Sequence, residues 1–99
     1  MFKVLHLDTG KEWRGGQRQA LWLHTGLIEK GVGSYLLAEN KGKLAHKDTQ
    51  NINGYDFRGE LSIRGILSLR QIIKRLEPDI IHSHDAHSLT PLVILKKIF

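Results

Sequence analysis

Three histidines and an aspartate lie close together after a short apolar run in the second half of the sequence. They belong to residues 79–87, which read DIIHSHDAH and follow Pro78. The β-branched residues of this segment predict a short buried strand, and the polar side chains come at its carboxyl end. In an open α/β sheet, ligands bind in the crevice outside the carboxyl ends of the strands. These residues therefore predict a ligand site.

A second polar segment follows the first predicted strand. Residues 4–8 are largely apolar and lead into residues 9–18, which read TGKEWRGGQR. The glycine spacing is that of a phosphate loop, yet Gly16 and Gln17 stand where that motif requires Lys and Ser or Thr. Gly15 and Gly16 instead open a helix, whose free N–H groups favour an anion. Two arginines would add positive charge there: Arg14 and Arg18. An ordinary strand-to-helix turn is the alternative interpretation.

The histidine-rich segment matches a metal-binding pattern only in part. In the metallo-β-lactamase pattern H-x-H-x-D-H the aspartate stands one place later than Asp85 does here. Neighbouring residues of a strand point to opposite faces, so His82 and His84 share a face. We interpret His82 as a histidine packed in the sheet and expect His84 to meet a ligand. We expect no metal and no cofactor. The alternative is a metal-binding, hydrolase-like or small-ligand module that uses His82, His84, Asp85 and His87.

The composition is that of a soluble globular domain. The sequence has 99 residues, of which 40% are hydrophobic and 25% charged, and it has no cysteine. Disulfides and thiolate catalysis are therefore excluded. The net charge of +5 favours anionic partners, but the basic residues are spread out and form no nucleic-acid arm. No apolar run approaches the roughly 20 residues of a membrane span, and no signal peptide is evident. We expect a cytoplasmic protein.

Strands alternate with helices along the sequence, which predicts an α/β fold with a parallel sheet. We expect strands near residues 2–8, 34–38 and 79–84, with the first and last adjacent at the centre, and a short strand near 52–55. Helices are predicted over 17–30, from a cap at Ser62 to Leu76, and over 89–98. Their predicted apolar faces are Ala20, Leu21, Leu23, Leu27 and Ile28, and Ile63, Ile66, Leu67, Ile73 and Leu76. We interpret His6, His24 and His46 as structural or exposed, and Trp13 and Trp22 as packing residues.

Together, the two polar segments resemble the N-terminal domain of retaining glycosyltransferases of the large family 4 type, which have the glycosyltransferase-B fold. Members of that family open with a strand, a loop containing a glycine pair and a helix, as the residues around Gly15 and Gly16 do. They also carry a strand of the form Pro-Asp-hydrophobic-hydrophobic-His-x-His, which matches residues 78–84. The resemblance covers nearly the whole sequence in order and spacing.

The resemblance implies a partial doubly wound, Rossmann-like domain over residues 1–99, which is the acceptor-side half of an enzyme that moves a sugar from a nucleotide-sugar to a glycan or lipid acceptor. The nucleotide-sugar domain would lie outside these residues, so we expect no efficient transfer by the chain alone. The resemblance implies a catalytic His84 near the transferred sugar. The implied substrate-binding residues are Gly15, Gly16, Gln17, Arg18, Asp85 and His87.

The partners that we expect are a nucleotide-sugar and a glycan or lipid acceptor in the complete enzyme, and no nucleic acid. A lipid acceptor would bring peripheral contact at the inner face of a membrane. We also expect the chain to self-associate, because an apolar segment ends it and exposed apolar patches drive association. The residues of this segment are Leu92, Val93, Leu95, Ile98 and Phe99.

Overall fold

Four parallel strands and three α-helices alternate in the computed structural model, which describes residues 1–57 and 63–98. The strands are β1 (Lys3–Asp8), β2 (Gly33–Glu39), β3 (Ile52–Tyr55) and β4 (Ile80–Ser83). The helices are α1 (Gly15–Glu29), α2 (Ile63–Leu76) and α3 (Ala86–Ile98), and a short 3₁₀ helix covers Leu44–His46. The strand order is β3-β2-β1-β4. The predicted α/β fold with a parallel sheet is confirmed.

The predicted adjacency of the first and last strands is confirmed, but β4 is not central. β1 pairs in parallel with β4, and His6 lies opposite His82 in the register. On its other side β1 pairs with β2, so β1 is an inner strand and β4 is an edge of the described sheet. Ile80 of β4 is accordingly 48% exposed. An apolar run predicts a strand, but it does not distinguish an inner strand from an edge strand.

The two faces of the sheet are covered by different helices. Because successive strand residues point to opposite faces, Leu5 and Leu7 of β1 lie on one face and His6 on the other. The first face forms a core with α2 and α3, whose buried residues are Leu5, Leu7, Leu37, Ile66, Leu69 and Leu95. The second face packs on α1, where the buried apolar residues are Ala20, Leu36, Ala38 and Leu44. Helices therefore change face between β1 and β4.

Two helices begin earlier than predicted because polar side chains satisfy their first N–H groups. In α1 the side chain of Gln17 accepts a hydrogen bond from the Arg14 N–H at 3.2 Å, as in a capping box. In α3 the carboxylate of Asp85 accepts from the Ser88 N–H at 3.0 Å, which makes Asp85 the cap. The predicted cap of the second helix, Ser62, lies outside the described residues.

The predicted apolar faces of the helices are partly wrong. In α2 the predicted residues Ile66, Ile73 and Leu76 do pack in the core. Leu69, which was not predicted, is buried there too, whereas Ile63 and Leu67 are exposed. In α1 the fully buried residues are Ala20 and His24, so a histidine occupies a core-facing position that an apolar pattern does not detect. Exposed residues of α1 include two that we expected to pack, Leu23 and Trp22. None of the helices among residues 1–57 and 63–98 is long and apolar enough to span a bilayer.

We expect Leu69→Ala to lower the free energy of unfolding by about 2–5 kcal/mol, because it removes a buried side chain and leaves a cavity. Leu67→Ala is the matched control, since Leu69 is 1% exposed and Leu67 is 45% exposed in the same helix. The control should cost about 1 kcal/mol or less. Urea unfolding followed by circular dichroism measures both. Equal losses in the two variants would contradict the packing of α2.

Self-association stays a prediction, although its structural basis changes. Leu92 and Leu95 pack against the core and Val93 is exposed. The other two residues of the predicted segment, the side chain of Ile98 and the whole of Phe99, lie outside the described part of the structure. Elsewhere the surface exposes other apolar side chains, such as Trp22 at 65% exposure, and exposed apolar patches drive association. Light scattering at increasing concentration should show growth beyond the monomer mass. A constant monomer mass would contradict the prediction.

Candidate functional site

The loops that follow β1 and β4 are joined at the carboxyl ends of these strands. The backbone N–H and the hydroxyl of Thr9 donate to one carboxylate oxygen of Asp85 at 2.8 and 2.6 Å. The other oxygen caps α3 through Ser88. Since helices change face between β1 and β4, this edge is the topological switch point, where open α/β sheets bind ligands. Two parts of the predicted site, the residues after each strand, therefore meet there.

A second carboxylate lies buried at the same edge. Asp8 ends β1, and its Oδ1 accepts hydrogen bonds from the Gly10 N–H at 2.9 Å and from Nε2 of Gln17 at 3.3 Å. Burial raises the pKa of Asp8, and the nearby carboxylate of Asp85 acts in the same direction. For Asp85, burial alone would raise the pKa, but hydrogen bonds from Thr9 and Ser88 outweigh it and lower the pKa. The pKa of Asp85 therefore lies below that of Asp8.

The glycine pair leaves open space at the start of α1. Gly15 and Gly16 are the first two residues of this helix. A Cβ atom added to either residue would meet nothing within 4 Å. Packing therefore does not explain why these positions are glycine. Small residues at a helix start let another molecule approach the backbone N–H groups closely.

The two arginines predicted for the site contact residues of the loop after β1 and not the carboxylates at the strand ends. Nε of Arg14 lies 2.7 Å from Oε2 of Glu12 in an exposed ion pair. The guanidinium of Arg18 lies 5.4 Å from the ring centroid of Trp13, and Nζ of Lys47 lies 3.9 Å from the same centroid. The half-buried Trp13 also packs against the α1-side core. The edge therefore carries cations on its loop side and carboxylates on its strand side.

Behind this edge, buried histidines form a continuous hydrogen-bonded network. Oγ of Ser34 lies 2.9 Å from Nε2 of His6 and 2.7 Å from Nδ1 of His24. Nε2 of His24 lies 2.9 Å from the carbonyl oxygen of Gln50, and Nδ1 of His6 lies 3.0 Å from Nε2 of His84. We call these five residues the histidine network. The side chains of Ser34, His6 and His24 are fully buried within it.

The carbonyl at one end fixes the direction of every hydrogen bond in the network. The Gln50 carbonyl can only accept, so Nε2 of His24 carries the proton and its Nδ1 accepts from the Ser34 hydroxyl. Ser34 has one proton to donate, so its oxygen accepts from Nε2–H of His6. Nδ1 of the neutral His6 ring must then accept from Nε2–H of His84. The neutral ring of His84 consequently keeps a lone pair on Nδ1.

Electrostatics favour the neutral rings that this direction requires. Burial, followed by repulsion from neighbouring histidines, lowers the pKa of His6 to about 3. Burial and then His82 lower the pKa of His84 to about 4, although Asp85 acts in the opposite direction. Burial also lowers the pKa of His24. The His84 ring is therefore uncharged at neutral pH while no anion is bound.

His82 lies outside the network but against it. Its ring stacks on that of His84, with centroids 3.9 Å apart and an interplanar angle of 11°. Our interpretation of His82 as a packed histidine is wrong, because its side chain is exposed. The reason is that β4 is an edge strand, while α1 packs over β1 and β2. His46 is exposed and bonds the Asn40 carbonyl, in line with its predicted role.

The histidines that come together differ from the set predicted for a metal. Among the described residues, the group that could hold an ion is His6, His82 and His84, whose ligand atoms all lie within 4.8 Å of one another. Asp85 is engaged by Thr9 and Ser88 instead, and His87 is not part of the group. The sequence carried a signal for His6, since alternate residues of paired strands share a face.

No protein-family model matches this sequence, and no curated protein matches it.

We expect imidazole ¹⁵N NMR to find His6, His24 and His84 neutral and protonated on Nε2. At pH 5 an ordinary histidine, with a pKa of about 6.5, is mostly charged. His6 and His84 should remain neutral there, because their pKa values lie at about 3 and about 4. Charged rings at pH 5, or protons on Nδ1, would contradict the network.

Proposed function

We propose that this domain is the acceptor-side half of a glycosyltransferase that moves a sugar from a nucleotide-sugar to a glycan or lipid acceptor. The observation that carries the proposal is the junction of the glycine-pair loop with the His84 segment at the switch point, through Thr9 and Asp85. Both segments are the ones whose sequences resemble family 4 glycosyltransferases. Their meeting at one sheet edge supports a single site.

The polar groups at this edge suit the hydroxyl groups of a sugar. Each sugar hydroxyl donates and accepts hydrogen bonds, so it needs carboxylates or amides beside N–H donors. Asp85 is charged and only half-buried, which leaves it able to accept from hydroxyls. Gln17 supplies an amide that already bonds Asp8. A site for inorganic anions alone would not place two carboxylates here, since like charges repel.

The start of α1 suits the diphosphate of a nucleotide-sugar. The space beside Gly15 and Gly16 admits a phosphate to the N–H groups of the first helical turn. Arg18 adds a positive charge in that turn. In this arrangement the diphosphate lies on the cationic loop side and the acceptor lies on the carboxylate side. The transferred sugar lies between them, next to His84.

His84 acts in this proposal as a neutral hydrogen-bonding residue. Its Nε2–H is committed to His6, which leaves the Nδ1 lone pair to accept from a hydroxyl of the transferred sugar. The low pKa of His84, about 4, makes it a weak base, so its role is to orient the sugar rather than to remove a proton. His87, in the first turn of α3, is the second histidine that we propose near the acceptor.

The cytoplasm is the proposed location, with contact at the inner face of a membrane when the acceptor is a lipid. The net charge of +5 supports contact with an anionic surface. The nucleotide-sugar itself would supply the activated sugar, so no cofactor is needed for the transfer.

We expect nucleotide-sugars and methyl glycosides, titrated into ¹⁵N-labelled protein with a chelator present, to shift backbone amides of residues 8–18 and 84–88. UDP-glucose, GDP-mannose and the methyl glycosides of glucose and mannose are suitable probes. His84→Ala should abolish the shifts caused by the sugar ring, whereas His46→Ala, at an exposed site, should preserve them. In an enzyme that contains this domain, His84→Ala should reduce turnover far more than nucleotide-sugar affinity.

Two results would contradict the proposal. One is the absence of saturable shifts with every sugar probe. The other is a set of shifts that maps away from the switch point, for example to the groove between α2 and α3 that is lined by Ile73, Leu92 and Leu95.

A further inference from the structure

We propose that His6, His82 and His84 form a binding site for a divalent first-row transition metal, with Zn²⁺ as the best-suited ion. The ligand atoms of these three side chains all lie within 4.8 Å of one another. Imidazole nitrogens suit zinc, copper, nickel and cobalt, whereas magnesium and calcium need oxygen ligands. The inference departs from the expectation of no metal, and it does not depend on the proposed sugar transfer.

His6 is already oriented as a metal ligand. Its ring is fully buried, and its Nε2–H donates to Oγ of Ser34 at 2.9 Å. This bond leaves the Nδ1 lone pair directed toward His84. Metal-bound histidines characteristically donate their second ring N–H to a protein group, which fixes the tautomer and the ring orientation. Ser34, held in turn by His24, supplies that support.

The spacing of His6 and His84 is close to that of two ligands on one ion. Nδ1 of His6 and Nε2 of His84 lie 3.0 Å apart. Two nitrogens on a tetrahedral zinc ion, each about 2.0–2.1 Å from the metal, are separated by about 3.4 Å. The distance between these two nitrogens therefore needs to increase by only a few tenths of an ångström to admit the ion. His84 must also move its proton from Nε2 to Nδ1, a change of tautomer that leaves the ring neutral.

His82 closes the site from the solvent side. Its side chain is exposed and stacked on His84, so it is free to turn about its side-chain torsions toward the ion. Because the third ligand is exposed, the ion has a path of entry from solvent. Three protein ligands leave at least one coordination position for water, which is the arrangement of open zinc sites. No carboxylate belongs to this group of residues.

The test is a titration of the purified, tag-free protein with Co²⁺, followed by its visible absorption, and then displacement of Co²⁺ by Zn²⁺. We expect one ion per chain. His82→Ala should weaken binding by about tenfold or more, and Ser34→Ala by about tenfold through loss of the support for His6. His82 is exposed, so its variant should keep the circular dichroism of the parent protein. His87→Ala and His46→Ala are the matched controls and should bind as the parent does.

Three results would overturn the proposal. The first is the absence of stoichiometric Co²⁺ or Zn²⁺ binding by the parent protein. The second is unchanged affinity in a folded His82→Ala variant. The third is a loss of affinity in His87→Ala or Asp85→Asn that exceeds the loss in His82→Ala, because that pattern would indicate the ligand set suggested by the sequence.

Discussion

The position of α1 on the sheet depends on a buried polar row that must satisfy its own hydrogen bonds. His6, Ser34 and His24 are fully buried between the sheet and α1. A buried polar group left without a partner costs about 1–3 kcal/mol. The helix can therefore shift along the sheet only by breaking the Ser34–His24 bond. The bond from His24 to the Gln50 carbonyl extends the same constraint to the segment before β3.

β1 links this constraint to both the core and the candidate site. Its alternation places Leu5 and Leu7 in the core on one face and His6 on the α1 face. Its last residue, Asp8, lies at the carboxyl edge with Gln17. One inner strand thus contributes both to the apolar core and to the candidate site. Its neighbour β4 has less support because it is an edge strand.

Sequence reasoning predicted the elements well because they follow from local patterns. Apolar runs located β1, β2 and β4, and alternation of strands with helices predicted the parallel sheet. Side-chain environments depend on tertiary contacts and were harder to predict. His24 occupies a core-facing position because Ser34 lies opposite it, and that pairing joins residues on different elements. The burial of Leu69 rather than Leu67 depends likewise on how α2 is rotated on the sheet.

The location of the candidate site was predicted more accurately than the contacts of its side chains. Strand ends and glycines indicated the carboxyl edge, and the structure joins the two segments there. Asp85, however, appeared as a metal or substrate ligand when its first role is to cap α3. An aspartate directly before a helix, with its carboxylate three residues before the Ser88 N–H, is a capping signal that predicts this role. The neighbouring histidines instead favoured the interpretation of Asp85 as a ligand.

The two proposals meet at a single proton on His84. Without metal, Nε2–H of His84 donates to His6, and Nδ1 can accept from a sugar hydroxyl. With metal on Nε2, the proton resides on Nδ1, which can then only donate. A bound ion would therefore reverse the hydrogen-bonding polarity of the ring without changing its charge. A sugar hydroxyl that donates a hydrogen bond to Nδ1 of His84 would lose that bond when the metal binds. Metal binding and sugar binding would therefore weaken each other even without direct contact.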